Sequence, residues 1–439
     1  MLQNVTMFVN KNHERRETGV MNSKSMFDQL FFPRISESWE GIEADEFVGF
    51  LHPKCQEIIT AEKLLTLLGE GRKLRVKFGI DPTASDIHIG HLVPMMLLRQ
   101  FAKASHHIDF IIGDFTALVG DPTERDTGRV PLTPEQIAIN MRTFQDQVSR
   151  FVDLSCLEVH HNSEWLNPMT LQEVFAVFQR INLTEAVQRE DFRKRMRNSQ
   201  AVSLAEVCYG VLMGIDSIRL STDVEIGGID QLLNFQQCRK IMREKGMEEE
   251  VALMVPLLEG TDGGGRKMSK SFGNTVPVTA SLEDKFGKIM SIPDRLIFQY
   301  FCSFADVHQR ELDGLKAFVA SDPLEAKKQL ATFLVALEAK DLSQGLRERE
   351  SFERKFSQRV ITEEDCIQLT ANVGQNLFAL LAASEEFKSK GELRRLFEQN
   401  AVRLITDSEE SILDISANVT GSCKLRVGKL RFFKINVGQ

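Results

Sequence analysis

The chain has 439 residues, 42% of them hydrophobic and 26% charged, which is ordinary for a soluble globular protein with room for two to four domains and excludes a fibrous or disordered chain. Its 54 Lys plus Arg against 62 Asp plus Glu give a net charge of -8, which argues against a protein coated with nucleic acid, confines any RNA contact to a local basic face and leaves no expectation of a DNA partner. No apolar run suggests a signal peptide or a membrane span, and seven singly spaced cysteines suit reduced thiols, so a cytoplasmic protein with no membrane partner is expected.

Residues 1–26 read as a loose N-terminal extension. From Phe27 to Glu70 the apolar spacing, Phe47, Phe50 and Leu51 and then Leu64, Leu65, Leu67 and Leu68, predicts short helical pieces without visible chemistry. Leu74 to Ile80 alternates with period two and predicts a strand. It breaks at Asp81-Pro82 and runs into His88-Ile89-Gly90-His91, where a helix carrying Leu92, Met95, Met96, Leu98 and Phe101 begins near Ile89. Pro94 falls within about the first turn, where a missing N–H is tolerated. Such a helix start offers free backbone N–H groups, the positive end of a dipole and two imidazoles three residues apart, which suits a polyphosphate.

A second strand, Ile108 to Ile112, ends in GDFTALVGDPTERDTGR, Gly113 to Arg129, and such loops are what an open parallel α/β sheet offers a ligand. Residues 131–214 read as a helical insertion containing a short strand-like Leu157–His160. The sheet is expected to resume over Ser217 to Glu225 and to turn at Gly227-Gly228-Ile229-Asp230-Gln231 into a helix through about Met242. The apolar run Val251 to Leu258 then leads to the glycine-rich, basic loop GTDGGGRKMSKS, Gly260 to Ser271. This alternation predicts an α/β catalytic domain over 27–284 with a Rossmann-type doubly wound parallel sheet. Residues 285–372 read as an all-α domain. Residues 373–439, with ten Lys plus Arg and eight Asp plus Glu, read as a small basic α+β module suited to an RNA backbone, or as a solvated charged face.

Singly, the motifs are weak. Two histidines are as readily core or surface residues, and a lysine-rich loop is as readily a plain surface loop. Lys267 and Lys270 also suit a loop that closes over a β,γ-phosphate as charge develops. The ordered set of HIGH after a DPTA turn, GGIDQ and KMSKS is far more specific. On these residues, with GDFTALVGDP, NSEWL at Asn162–Leu166 and GKIMSIPD at Gly287–Asp294, the chain resembles the class I aminoacyl-tRNA synthetases, and within them the bacterial tyrosyl-tRNA synthetases, from about Phe27 to the C-terminus.

The resemblance implies formation of tyrosyl-adenylate from tyrosine and ATP with Mg²⁺, transfer to the 3′ end of tRNA(Tyr), and a homodimer joined through 131–214. It implies that Asp81, Thr83, His88 and His91 bind ATP, with Thr83 and His88 on the terminal phosphates and Gly90 admitting the adenine. Gly228 and Asp230 would hold the ribose, Gln231 would lie against the amino-acid carboxylate or the adenylate, and Lys267 and Lys270 would neutralise the leaving pyrophosphate. Asp121 and Tyr209 would hold the substrate ammonium and Asp216 would accept from a phenolic hydroxyl. No metal ligand from the chain is implied. Asp121 is otherwise a turn former and Asp216 a helix-end cap, while Asn162 and Trp165 match the family and also suit packing.

Several positions depart from the family pattern. Met213 replaces a usual Gln that helps bind the α-amino group, Ile215 replaces a usual Tyr, and Ile229 stands where Ser or Thr is common. Lys77 takes a place where one branch of the family has a hydroxyl-binding Tyr, although the branch this chain most resembles differs there too. NAVRLI, Asn400–Ile405, lacks the glycine usual in that turn. The readings left open are a paralogue that activates a related amino acid and an inactive synthetase-like RNA-binding protein.

Overall fold

In a computed structural model of the chain, the described residues are 32–82, 87–123, 133–179, 182–187, 190–357, 365–384, 386–387, 389–405, 410–428 and 431–437. The N-terminal extension and Thr83 lie outside them. The chain divides into two compact units, one through Leu346 and one from Arg347.

The larger unit is built on a six-stranded sheet in the order β1-β6-β5-β2-β3-β4: β1 is Glu57–Ile59, β2 Arg75–Ile80, β3 His107–Ile112, β4 Leu157–His161, β5 Val224–Gly228 and β6 Val251–Val255. Strands β2 to β6 run parallel, and β1 pairs antiparallel with β6. A parallel sheet is covered on both faces, which is why β3 and β6 are almost continuous apolar runs with nearly every residue buried. Strand β2 lies between β3 and β5, so the strand order reverses there, and the C-terminal ends of β2 and β5 flank the crevice that such a reversal opens.

The longer helices used below are α1 (Ile89–Lys103), α2 (Pro134–Val148), α3 (Tyr209–Leu220), α4 (Leu232–Glu244), α5 (Leu282–Met290), α6 (Ile297–Phe304) and α7 (Pro323–Ala339). Helix α1 begins at Ile89, as its pattern predicts, and buries Leu92, Val93, Met95 to Leu98 and Phe101 against the central strands. At about 1.5–3 kcal/mol for each large apolar side chain, this face holds the start of α1 firmly at the end of β2. Phe144 of α2 stacks on Phe110 of β3. Helices α5 and α6 pack on α7, and α6 also touches α1. Buried Asp306 accepts hydrogen bonds from Gln100 (2.6 Å) and Lys103 (2.9 Å) in α1, which ties this helical segment to the sheet.

Three expectations for the larger unit differ from its fold. Strand β1 falls where only helical pieces are predicted, because three exposed or half-buried residues carry no readable period. Ser217–Leu220 is the last turn of α3, not strand; the helix ends where Ser221 turns left-handed (φ 51°), and β5 starts only at Val224. The strand-like Leu157–His160 within 131–214 is a strand, β4, but it is hydrogen-bonded to β3 as an edge of the main sheet and so is part of that sheet, not of an insertion beside it.

The second unit holds a five-stranded sheet in the order β7-β11-β10-β8-β9: β7 is Ile367–Ala371, β8 Val402–Ile405, β9 Glu410–Ile412, β10 Cys423–Val427 and β11 Arg431–Val437. Residues 285–372 are therefore not all helical: β7 lies inside that range and pairs parallel with β11, a strand much later in the chain that no local pattern in 367–371 records. Helices α8 (Leu377–Ala382) and α9 (Lys390–Glu398) bury Leu381, Leu393 and Phe397 in a core with Leu425, Phe433 and Ile435, leaving Lys390, Arg394 and Arg395 exposed.

Candidate active site

A cavity of about 490 Å³ opens at the switch point, walled by the ends of β2, β5 and β6, the start of α1 and one face of α3. It brings together Asp81, His88, Gly90, His91, Asp121, Tyr209, Met213, Asp216, Gly228, Asp230, Gln231 and Lys267. Lys270 is outside this lining, yet its charge is close enough to oppose protonation of both histidines.

His88 is the N-cap of α1, and its ring centroid lies 4.0 Å from that of His91. Burial pushes His88 down to about 3, helped by His91 and Lys270, and burial also lowers His91, so both rings are neutral at physiological pH. His88 Nδ1 is buried with no hydrogen-bond partner among the described residues. The first N–H of the helix, expected to face an anion, is already used: Ile89 donates to the Val276 carbonyl at 3.0 Å. A Cβ on Gly90 would meet the His88 ring at 3.0 Å, so a side chain here would press on that ring.

The loop bearing Lys267 is tied down at several points. Glu259 and Lys267 form an isolated bridge, Met268 N–H donates to the Leu258 carbonyl (2.7 Å), and Ser269 N–H donates to Asn274 Oδ1 (2.8 Å). Glu259 accepts from Gly265 N–H (2.9 Å) and from both guanidinium nitrogens of Arg295.

A hydrogen-bonded chain crosses the cavity from β2 to α3. The Asp81 carboxylate accepts from the Thr116 hydroxyl (2.7 Å) and from the Tyr209 hydroxyl (3.1 Å). Asn162 Nδ2 donates to Thr116 Oγ1 (3.1 Å) and to Asp216 (3.4 Å), and the Trp165 indole N–H donates to Asp216 (2.7 Å). Asn162 and Trp165 thus do more than pack. Thr116 was not predicted as a site residue, and its one sequence signal is its place in GDFTALVGDP. A Cβ on Gly113 would fall 2.2 Å from Asp81 Oδ1 and 2.3 Å from Thr116 Oγ1, so this contact needs glycine. Asp121 accepts from Thr123 N–H (3.0 Å) and hydroxyl (2.6 Å), as a turn former does, and its other oxygen accepts from Gln231 Nε2 (2.8 Å).

Burial raises the Tyr209 phenol well above its ordinary range, so it stays a neutral donor. Burial pushes the Asp216 carboxyl up to about 6, against the Lys77 charge and the Trp165 and Asn162 donors that favour its ionised form. Met213 and Ile229 pack on one apolar cluster of Phe235, Ala252 and Met254. Ile215 packs on Trp165, Leu166 and Leu220 and is not in the cavity wall.

Residues 69–352 match the family described as tRNA synthetases class I (W and Y). The chain belongs to that family. It is 37% identical over 386 residues to a tyrosine–tRNA ligase of Aquifex aeolicus, covering 87% of this chain and 96% of that one. It is 35% identical over 405 residues to a tyrosine–tRNA ligase of Idiomarina loihiensis, covering 90% and 99%. Among solved structures, a C-terminally truncated mitochondrial tyrosyl-tRNA synthetase of Coccidioides posadasii superposes with a TM-score of 0.58 at 21% identity, over 78% of this chain and 99% of that chain. The Archaeoglobus fulgidus enzyme complexed with L-tyrosine gives 0.53 at 22%, over 70% and 99%. At these identities the structures show a shared fold. As a class I tRNA synthetase, the chain uses ATP, and the resemblance drawn from HIGH, GGIDQ and KMSKS is borne out. No helix among the described residues is long and apolar enough to cross a membrane.

Proposed function

We propose that this synthetase activates tyrosine with ATP and transfers it to the 3′ end of tRNA(Tyr). The observation that carries this reading is the one cavity that joins the His88–His91 pair and Lys267 to the Tyr209–Asp81–Asp216 chain. A carboxylate oxygen of tyrosine attacks the α-phosphorus in line, the bond to the β-phosphate bridging oxygen breaks, and pyrophosphate leaves with the electron pair. The ribose hydroxyl of the tRNA end then attacks the adenylate carbonyl, its proton passes to a phosphate oxygen of the leaving group, the carbonyl–phosphate bond breaks and AMP leaves. Neither step needs a nucleophilic side chain, so the protein acts through positioning and charge stabilisation. Neutral His88 and His91, with Thr83, Lys267 and Lys270, take the phosphates; Gly90 admits the adenine; Gly228 and Asp230 take the ribose. Asp121 and Tyr209 take the ammonium, Gln231 the carboxylate and Asp216 the phenolic hydroxyl, while Asp81 orients Tyr209.

Mg²⁺ would come with the ATP phosphates rather than on ligands of the chain, and would supply charge neutralisation there beside Lys267 and Lys270. The two groupings of metal-donor side chains among the described residues, Asp109–Glu158–His160 and Glu225–Cys238–Glu250, include none of the phosphate-end residues. A homodimer through 131–214 is supported by exposed Ile139, Leu171, Phe175 and Leu204. The exposed basic residues of α9 support tRNA contact by the second unit, and seven unpaired cysteines support a cytoplasmic setting.

Met213 favours one second reading, a paralogue for a related amino acid, because it puts an apolar side chain on the pocket wall where the family has a polar one; Ile229 packs on the apolar cluster beside it and is not in that wall. ATP–pyrophosphate exchange across the aromatic amino acids, followed by charging of purified tRNA, separates the two. Exchange and charging are expected to be strongest with tyrosine, and a preference for another amino acid overturns the tyrosine reading.

A further inference from the structure

Lys77 is 1% exposed, lies in the middle of β2, and has no part in the reaction described above. The parallel register sets it beside Glu225 of β5 on one side and Asp109 of β3 on the other. Asp109 is taken by Arg75 (2.5 Å) and His160 (2.9 Å), and the Lys77 ammonium instead meets Glu225 at 2.7 Å. Its other contacts are the Ser217 hydroxyl (2.5 Å), on the residue after Asp216, and the Met213 carbonyl (3.2 Å), about one turn of α3 before it. Lys77, Glu225, Met213 and Asp216 all line the cavity.

Behind this pair, Glu250 is fully buried, and its carboxyl is hydrogen-bonded to Glu225 and Ser217. Its carboxyl, that of Glu225 and the Cys238 sulfur lie within 4.8 Å of one another. Two carboxylates this close and out of water do not both ionise beside one lysine. Burial and the Glu225 charge push Glu250 far up, so Glu250 keeps its proton and Lys77–Glu225 is left as a balanced pair. The groups that act on Asp216 are Lys77 from β2, Asp114 from the loop after β3, the Asn162 and Trp165 donors after β4, Tyr209 on its own helix and Cys238 from α4. Of these only Lys77 is positive.

We propose that Lys77 is a specificity-determining positioning residue, whose ammonium, aimed by Glu225, keeps Asp216 an ionised acceptor for the hydroxyl of a phenolic amino acid. The inference rests on the tyrosine reading above. An ionised, desolvated carboxylate facing a ring without a hydroxyl keeps its Trp165 and Asn162 donors but is left one donor short, so the same charge that favours tyrosine disfavours phenylalanine.

The test is ATP–pyrophosphate exchange with tyrosine and with phenylalanine, from roughly pH 5.5 to 8.5, in the full chain. The variant K77M/E225Q removes both members of the ion pair, so no charge is stranded. The acid limb of kcat/KM for tyrosine is expected to move up by about one pH unit, and the tyrosine-to-phenylalanine ratio at neutral pH to fall about tenfold. Glu250→Gln mimics the protonated acid and is expected to move neither. If the double variant does not fold, Ser217→Ala, which removes one acceptor of the ammonium, is expected to shift the limb the same way by about a few tenths of a pH unit. An unchanged limb and ratio in a folded K77M/E225Q protein, or an unchanged limb in Ser217→Ala if that variant alone folds, overturns the role of Lys77. A moved limb in Glu250→Gln overturns the balanced pair. Failure of the wild type to activate tyrosine overturns the tyrosine reading instead, and is seen before any variant is made.

Discussion

Asp216 is an acceptor whose ionisation depends on pH within reach of an assay. Its folded value of about 6 lies above the ordinary carboxylate value, so the folded protein holds a proton there that it releases as pH rises through 6. In the tyrosine reading kcat/KM for tyrosine therefore falls as pH drops below about 6. Asp216→Ala should lose that limb and about 10- to 100-fold in kcat/KM; a limb that survives the substitution belongs to another group. Met213, where the family usually has Gln, lines the same cavity. In the tyrosine reading Met213→Gln restores a polar group near the substrate ammonium, and KM for tyrosine is expected to fall about 2- to 10-fold with kcat little changed. A rise in KM, with a gain for some other amino acid, favours the paralogue.

At the scale of elements, the cavity depends on one helix start and one loop. The helix start is held by the buried face of α1, and the contact between the β2 end and the turn after β3 allows no side chain at residue 113. Gly113→Ala is expected to lose about 1–3 kcal/mol in denaturant unfolding, because the new Cβ displaces Asp81 or Thr116. The Lys267 loop is held by exposed bonds, among them Arg295 on Glu259. Arg295→Ala is expected to speed tryptic cutting after Arg266, Lys267 or Lys270 about two- to fivefold, with ATP giving weaker protection than in wild type. Replacing Lys267 and Lys270 by Ala is expected to lower the rate of adenylate formation about 100-fold or more while leaving the affinity for tyrosine unchanged.

Across the whole molecule, every residue lining the cavity belongs to the unit that ends at Leu346, and the exposed basic face of α9 belongs to the unit from Arg347. A chain ending at Ser357 is therefore expected to keep pyrophosphate exchange and to lose most tRNA charging, with the loss read as a raised KM for tRNA. Equal charging by the shortened chain removes the second unit from tRNA recognition.

The helix at Ile89, the strands before it and at 108–112, and the basic loop at Gly260–Ser271 are legible because each carries a local signal, whether a period or a cluster of glycine and lysine. The histidine pair, the loop lysines and the resemblance to a synthetase family follow from residues close together in the chain. Three-residue β1 and the last turn of α3 are not legible, because pairing to a neighbouring strand or packing on a neighbouring helix decides them. The same holds within the site. The order of HIGH, GGIDQ and KMSKS pointed to the chemistry, whereas strand register set Lys77 between Glu225 and Asp109, Arg75 and His160 on Asp109 left it to meet Glu225, and the fold alone decided that Met213 and Ile229 share one apolar cluster. Local pattern records which face of an element is buried; it does not record which other element covers that face.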